Sequence, residues 1–151
     1  MKTQKLKLDI PSGFEFASFD KESSEVILKQ SDAPMQRIKT IDDILADHNL
    51  SKQQFETQCQ GLSEDEVAYR IIKMLVQSLN EGWIPDWSDQ NQYKYFPWFE
   101  MRGSSGFRFD DCAYWLSNSY VGSRLALKSR ELATYAGTQF TKIFEQFMII
   151  N

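Results

Sequence analysis

The sequence is poor in the residues on which many protein chemistries depend. It has two cysteines, Cys59 and Cys112, far apart in the chain, and one histidine, His48. A disulfide framework needs several cysteines, and a structural zinc site needs four closely spaced ligands. We therefore expect reduced, buried thiols, no metal and no cofactor. His48 lies between two predicted short helices and is expected to have a surface or capping role.

Long apolar runs are also missing. No stretch approaches the roughly 18 residues that a membrane-spanning helix needs, and the lysine-containing start lacks the apolar core of a secretory signal. The spacings of a nucleophile elbow, a phosphate-binding glycine loop and a metal-binding helix are absent as well. These absences predict a cytoplasmic, non-catalytic protein without a membrane partner.

An excess of positive charge is the third absence, since 17 Lys and Arg oppose 21 Asp and Glu for a net charge of -4. A protein that binds nucleic acid through its phosphates usually has a basic excess, so this balance disfavours nucleic acid as a partner without excluding a local basic patch. Aromatic residues are plentiful, with 11 Phe, 6 Tyr and 4 Trp. The length of 151 residues predicts a single domain, residues 1–151, with a sizeable core.

The first part of the chain changes from a strand pattern to a helix pattern. Apolar residues at period two predict two or three short strands within residues 1–30, with turns at residues 11–13 and 20–24, and residues 29–39 are expected to form a linker. Residues 40–82 are predicted to be helical because two capping boxes, Ser51-x-x-Gln54 and Ser63-x-x-Glu66, mark helix starts. A weaker cap, Thr40 with Asp43, opens a short helix before them. Gly82 is expected to end the last of these helices.

Residues 93–128 are predicted to form an antiparallel meander of about four strands, and residues 129–148 a C-terminal helix. Pro97 confines its strand to an edge or marks a bulge there. Gly137, inside the predicted helix, indicates close packing against another element. The fold class is therefore expected to be α+β, with the sheet packed against the helices that follow Ser63 and Ser129. The predicted strands cover residues 93–101, 106–109, 113–117 and 124–128, with turns at residues 103–106, 110–111 and 122–123.

The densest aromatic region is the main candidate for a binding surface. It combines a loop at residues 83–89 with the following strand, where alternate side chains point to opposite faces. One face is expected to pack on the helices, while the other is either a second core contact or an exposed platform for a partner. The candidate residues are Trp83, Trp87, Tyr93, Tyr95 and Trp98.

Two weaker candidates involve charged residues. Lys128, Ser129 and Arg130 lie where a helix begins, a position that favours an anion, although an ordinary helix cap explains them too. The carboxylates at residues 86 and 89, and at residues 110 and 111, suit either acid-base chemistry or turns. The turn interpretation is favoured for both pairs.

Three segments carry a family resemblance, which covers roughly residues 40–148. The sequences at residues 80–87 (NEGWIPDW), 93–99 (YKYFPWF) and 122–140 resemble short uncharacterised proteins of bacterial prophages and mobile elements. The resemblance implies a phage-type or accessory context and supplies no site residues.

We therefore predict a non-catalytic interaction or assembly module whose partner is another protein or a second copy of itself. The first alternative is a single-stranded nucleic-acid-binding protein, in which the strand aromatics stack on bases and Lys94, Arg102 and Arg108 contact phosphates. A small hydrolase using the paired carboxylates is the second alternative.

Overall fold

A computed structural model describes residues 8–10, 14–30, 33–101 and 106–150. The chain divides into two compact units, Met1–Ala33 and Pro34–Asn151. The single domain expected from the chain length stays a prediction.

The first unit contains a β-hairpin, as the period-two pattern predicts. Strand β1 (Phe14–Asp20) pairs antiparallel with β2 (Glu25–Gln30). The carboxylate of Asp20 accepts hydrogen bonds from the backbone N–H of Glu22 and the hydroxyl of Ser23, which stabilises the turn. Residues 8–10 lie in no strand, so the described residues contain two of the two or three short strands predicted. The turn expected at residues 11–13 lies outside the described residues.

The second unit begins with four helices: α1 (Pro34–Arg37), α2 (Ile41–Asp47), α3 (Lys52–Gln58) and α4 (Glu64–Asn80). Both predicted capping boxes are present, at the starts of α3 and α4, and the weaker cap predicted at Thr40 also forms a complete box at the start of α2. Helix α1 lies inside the expected linker, where Ile38 is buried in the core and donates its N–H to the carbonyl of Pro34. Helix α4 ends as predicted, with Glu81 and Gly82 both in the left-handed region.

The sheet of the second unit consists of β3 (Lys94–Glu100) and β4 (Arg108–Trp115), paired antiparallel. The predicted α+β class is confirmed, but the expectation of about four strands is wrong for the described residues. The predicted turn at residues 110–111 lies inside β4, which spans two of the expected strands. There the register shifts so that Asp110 is the extra residue of a bulge. The turn expected at residues 103–106 has only Gly106 among the described residues.

The expected last strand is replaced by a short 3-10 helix (Ser123–Leu125) and a single bridge between Tyr95 and Leu127. Pro97 explains this difference. Tyr95 and Leu127 exchange both of their backbone hydrogen bonds, but Pro97, the next residue of β3 on that side, has no N–H to donate, and the N–H of Leu125 bonds to the carbonyl of Gly122 instead. The opposite side of the segment is held by Asn80 at the end of α4, whose side-chain amide donates to the carbonyl of Ala126 at 2.8 Å and accepts from the N–H of Lys128 at 3.0 Å.

The predicted C-terminal helix is divided into α5 (Arg130–Gln139) and α6 (Thr141–Met148). At the break, Phe140 leaves helical geometry, and the hydroxyl of Thr141 donates to the carbonyl of Gly137 at 2.6 Å. A side-chain hydroxyl thus competes with the backbone for the helical acceptor.

The core of the second unit lies between α4, α5, α6 and one face of the sheet. Helix α5 packs on both strands, whereas α4 packs mainly on α6 and α2. The rings of Phe99 on β3 and Phe144 on α6 are 4.8 Å apart. Gly137 allows the close approach that the sequence predicted. A Cβ atom there would lie 2.9 Å from the Cβ of Pro97 and would overlap the ring of Phe109.

Candidate functional site

The β3–β4 sheet has one face on the helices and one face away from them. Residues directly opposite each other in an antiparallel pair point to the same side. Pro97 lies opposite Cys112, and both contact α5, at Gly137 and Thr134 respectively. The outer face therefore carries the alternate pairs, which are Lys94 with Trp115, Phe96 with Ala113 and Trp98 with Asp111.

The outer face contains a groove of about 470 Å³ along β4. Trp98 forms one side and is 54% exposed, and Tyr120, 76% exposed, stands at the other end. The ring of Tyr120 meets that of Trp115 edge-on, with the ring centres 4.7 Å apart. Six consecutive residues of β4, from Asp110 to Trp115, line this groove. Because such a run includes residues of both faces, the groove reaches from the outer face to the edge of β4.

This edge of β4 is open within the described part of the chain. Its backbone makes ladder hydrogen bonds to β3 and to no other described segment. The backbone N–H and C=O of Tyr95 both bond to Leu127, on the side of β3 away from β4. Because backbone groups alternate sides along a strand, the nitrogen of Pro97, two residues later, also points away from β4. Pro97 therefore costs no bond to β4, which agrees with the edge position predicted as one of the two alternatives, while the bulge of this sheet lies on β4 at Asp110.

The charges beside the groove are partly compensated. Arg130 pairs with Asp111 at 3.0 Å. A backbone hydrogen bond from Cys112 and the charge of Arg130 hold the pKa of Asp111 below its usual range. Asp110 is exposed and makes no ion pair with any described residue. The groove therefore carries one uncompensated negative charge.

Tyr93 and Tyr95 belong to a cluster of three tyrosines that Tyr114 completes. The rings of Tyr93 and Tyr114 meet edge-on at 5.0 Å, and those of Tyr93 and Tyr95 stack at 6.1 Å. Tyr93 and Tyr114 are about half exposed, while Tyr95 packs against the core. The cluster adjoins the groove through Tyr114, which lines it.

Trp83 and Trp87 lie elsewhere, half-buried in the lining of a separate cavity. Lys94 contacts the loop at residues 83–89, and its side chain is fully buried. Its ammonium donates to the carbonyl of Asp89 at 3.1 Å and lies 5.3 Å from the centre of the Trp87 ring. The structure thus separates the five predicted aromatic residues into two neighbourhoods, and only Trp98 lines the β4 groove.

At the predicted anion site, all three residues have partners inside the chain. Lys128 lies 3.4 Å from a carboxylate oxygen of Glu81. Arg130 is paired with Asp111. Ser129 caps α5 by accepting the N–H of Leu132 at 3.3 Å. This arrangement is that of an ordinary helix cap with paired cations.

The remaining candidates for chemistry have structural roles. Asp86 accepts from the hydroxyl and N–H of Ser88, and Asp89 accepts from the N–H of Asn91, which confirms the turn interpretation for this pair. The bonds to Ser88 hold the pKa of Asp86 below its usual range, so its carboxyl is a poor proton donor near neutral pH. His48 caps α2, as expected, and a ring nitrogen lies 3.0 Å from the carbonyl of Met74.

Cys112 is buried and Cys59 is half-buried, and both are free thiols. The sulfur of Cys112 lies 3.2 Å from the hydroxyl of Thr134. No group of three or more His, Cys, Asp or Glu side chains in the described residues is placed to hold a metal ion.

Sequence reasoning missed Tyr114, Trp115 and Tyr120, which form most of the aromatic wall of the groove. In the sequence they are aromatic residues within and just after a predicted strand. The turn predicted at residues 110–111 conceals the alignment of Asp111 and Trp115 with β3.

No family model, curated protein or solved structure matches this chain. Among the described residues, none of the helices combines the length and apolar character needed to cross a bilayer.

Proposed function

We propose that this protein is a non-catalytic interaction module, of a bacterial phage or mobile-element type, that binds an extended, basic segment of another protein along β4. The observation that carries the proposal is the groove in which an open strand edge lies between exposed aromatic side chains. An extended peptide that adds to a sheet edge gains main-chain hydrogen bonds, and pockets for its alternate side chains provide specificity.

The aromatic residues favour a protein as the partner. Trp and Tyr are enriched among the residues that contribute most to protein interfaces. Here Trp98, Tyr114 and Tyr120 are each more than half exposed at one groove, where a partner would cover them.

The charges favour a basic partner over a nucleic acid. The uncompensated carboxylate of Asp110 attracts a Lys or Arg side chain and repels a phosphate. A cation also gains from contact with the face of a Trp ring. Of the cations assigned to phosphates in the nucleic-acid alternative, Lys94 is fully buried and Arg108 is paired with Glu100. Arg102 lies outside the described residues.

A random peptide library displayed on particles and selected on the full chain tests the proposal. We expect the enriched peptides to alternate apolar residues with Lys or Arg, and their binding to shift the backbone amide resonances of β4. Trp98→Ala should weaken binding by about 2 kcal/mol or more while the unfolding temperature stays nearly unchanged. Ile84→Ala is the matched control, since Ile84 is an exposed apolar side chain outside the groove.

Three results would contradict the proposal: no enriched sequence, equal binding by the Trp98→Ala variant, or amide shifts that avoid β4. Binding of labelled single-stranded DNA that weakens steeply with salt would favour the nucleic-acid alternative. Sedimentation that depends on protein concentration, and that Trp98→Ala abolishes, would identify a second copy as the partner.

A further inference from the structure

A second cavity in the same unit has a chemical character opposite to that of the β4 groove. It measures about 430 Å³ and lies between the C-terminal half of α4, the loop at residues 83–87 and the segment at residues 123–126. It shares no lining residue with the groove. Its volume is within the range of roughly 300 to 1,000 Å³ that is typical of small-molecule sites.

The charged groups that line this cavity are both cations. Lys73 comes from α4 and Arg124 from the 3-10 helix. Neither makes an ion pair with a described residue, and the ammonium of Lys73 lies 4.8 Å from the centre of the Tyr69 ring. Among the described residues, no carboxylate lines the cavity. Two uncompensated positive charges in one concave site favour an anion.

Aromatic and apolar side chains complete the lining. Trp83 and Trp87 both contribute, together with Ile84 and Pro85. Flat aromatic rings bind other flat rings by stacking, which is worth about 1–3 kcal/mol per base when the ring is a nucleobase. The combination of indole rings with cations therefore suits a ligand that joins a planar ring to an anionic group.

The walls are held in place by interactions that their own residues make within the chain. Asn80 fastens the end of α4 to Ala126 and Lys128 through its two side-chain hydrogen bonds. Lys94 supports Trp87 from beneath and bonds to Asp89. A site with fixed walls loses less conformational entropy when it binds a ligand.

The lining offers few free polar groups that could distinguish one planar ring from another. The side chain of Asn80 is buried and both its amide groups are already bonded to backbone. The exposed Gln77 and Ser123 are the remaining uncharged polar side chains of the lining. Recognition would therefore depend on stacking and charge more than on the identity of the base.

We infer that this cavity binds a nucleoside monophosphate, with the base against Trp83 and Trp87 and the phosphate between Lys73 and Arg124. The guanidinium of Arg124 matches a phosphate because it donates two parallel hydrogen bonds. A free nucleotide and one nucleotide within a single strand both present a base joined to a phosphate. This inference does not rest on the function proposed for the β4 groove.

Calorimetric titration of the full chain with AMP tests the inference. We expect one AMP per chain, with binding that weakens as salt is added. Adenosine lacks the anion and inorganic phosphate lacks the ring, so each should bind at least about tenfold more weakly, which corresponds to about 1.4 kcal/mol. GMP and UMP should bind within about tenfold of AMP.

Two substitutions locate the site. Arg124→Gln and Lys73→Gln should each weaken AMP binding about tenfold, the change expected for losing a hydrogen bond to a charged group. Arg108→Gln removes an equal charge from an exposed ion pair on the sheet and should leave AMP binding unchanged. Thermal unfolding of each variant confirms that it is folded.

The inference is overturned if AMP produces no binding signal, if adenosine binds as well as AMP, or if Arg108→Gln weakens binding as much as Arg124→Gln does. A short oligonucleotide separates the two sources of the ligand. Equal affinity for AMP and oligo(dA) identifies a single-nucleotide site, whereas binding of oligo(dA) without binding of AMP overturns it.

Discussion

Gly137 shows how one missing side chain positions an entire helix. Inside a helix, alanine normally stabilises the folded state by about 1 kcal/mol more than glycine does. At this position, however, a Cβ atom would overlap the ring of Phe109 and the side chain of Pro97. Overpacking of this kind costs about 1–3 kcal/mol. The close contact between α5 and the sheet therefore depends on glycine.

We expect Gly137→Ala to destabilise the protein by up to about 2 kcal/mol, after the helix-propensity gain is subtracted from the cost of the overlap. Urea unfolding followed by circular dichroism measures the change. Phe109→Leu provides the matched test, because a smaller side chain relieves the overlap. The double variant should be more stable than the sum of the two single changes predicts, and strict additivity would refute the contact.

Lys94 is the second residue whose surroundings the sequence does not reveal. Its position in an alternating aromatic strand suggested an exposed cation that contacts phosphates, yet its ammonium lies beneath Trp87. Burial of a charge costs free energy that a carbonyl and a ring face offset only in part.

We therefore expect Lys94→Met, which keeps the length of the side chain, to change the unfolding free energy by no more than about 1 kcal/mol. Lys94→Ala also removes the packed methylenes and should cost about 2 kcal/mol or more. Chemical denaturation compares the two variants. Equal losses would mean that the ammonium, and not the packing of its stem, holds the loop at residues 83–89.

At the scale of elements, helix starts were predictable and strand pairing was not. A capping box is a local rule, since Ser51 and Gln54 satisfy each other within one turn. The β4 strand instead depends on its distant partner. Asp110 and Asp111 have the composition of a turn, but pairing with β3 holds them in a strand with a bulge. The same limit hid the β4 groove, because its wall is defined by cross-strand register.

The capping box of α2 predicts a dependence of stability on pH. Hydrogen bonds from the hydroxyl of Thr40 and the backbone of Lys39 hold the pKa of Asp43 below its ordinary value. The folded state thus favours the ionised carboxyl. The ionised Asp43 carboxylate therefore stabilises the folded protein at every pH above about 3.9, the pKa of Asp in the unfolded chain. This stabilisation is lost as the pH falls through the lower pKa that Asp43 has in the folded protein.

We expect Asp43→Asn to lower the unfolding temperature at pH 7 and to reduce the further loss between about pH 4 and pH 2. Asp42→Asn is the matched control, since Asp42 is an exposed neighbour in the same turn that takes no part in the box. Thermal unfolding over this pH range measures both variants. Identical pH profiles for the two would show that the box contributes nothing.

At the scale of the whole molecule, the buried core lies in one of the two units. Every buried apolar residue among those described falls between Ile38 and Phe144. The hairpin of the first unit keeps Phe14, Phe16 and Phe19 about half exposed. An isolated two-stranded hairpin is only marginally stable in water.

We expect a chain of residues 34–151 to fold by itself with the same urea midpoint as the full chain, because it keeps the whole described core. Denaturation of both chains, followed by circular dichroism, provides the comparison. A lower midpoint or a loss of cooperativity in the shorter chain would show that residues 1–33 contribute to the stability of the second unit.

The placement of the four tryptophans has a consequence for spectroscopy. Trp83 and Trp87 line the cationic cavity, Trp98 and Trp115 line the β4 groove, and none is part of the buried core. Intrinsic fluorescence therefore originates from the two concave surfaces. Quenching by a ligand would identify the surface it occupies once one pair is replaced by phenylalanine. Conversely, a change in emission during denaturation would follow the opening of these surfaces and could precede the loss of the core.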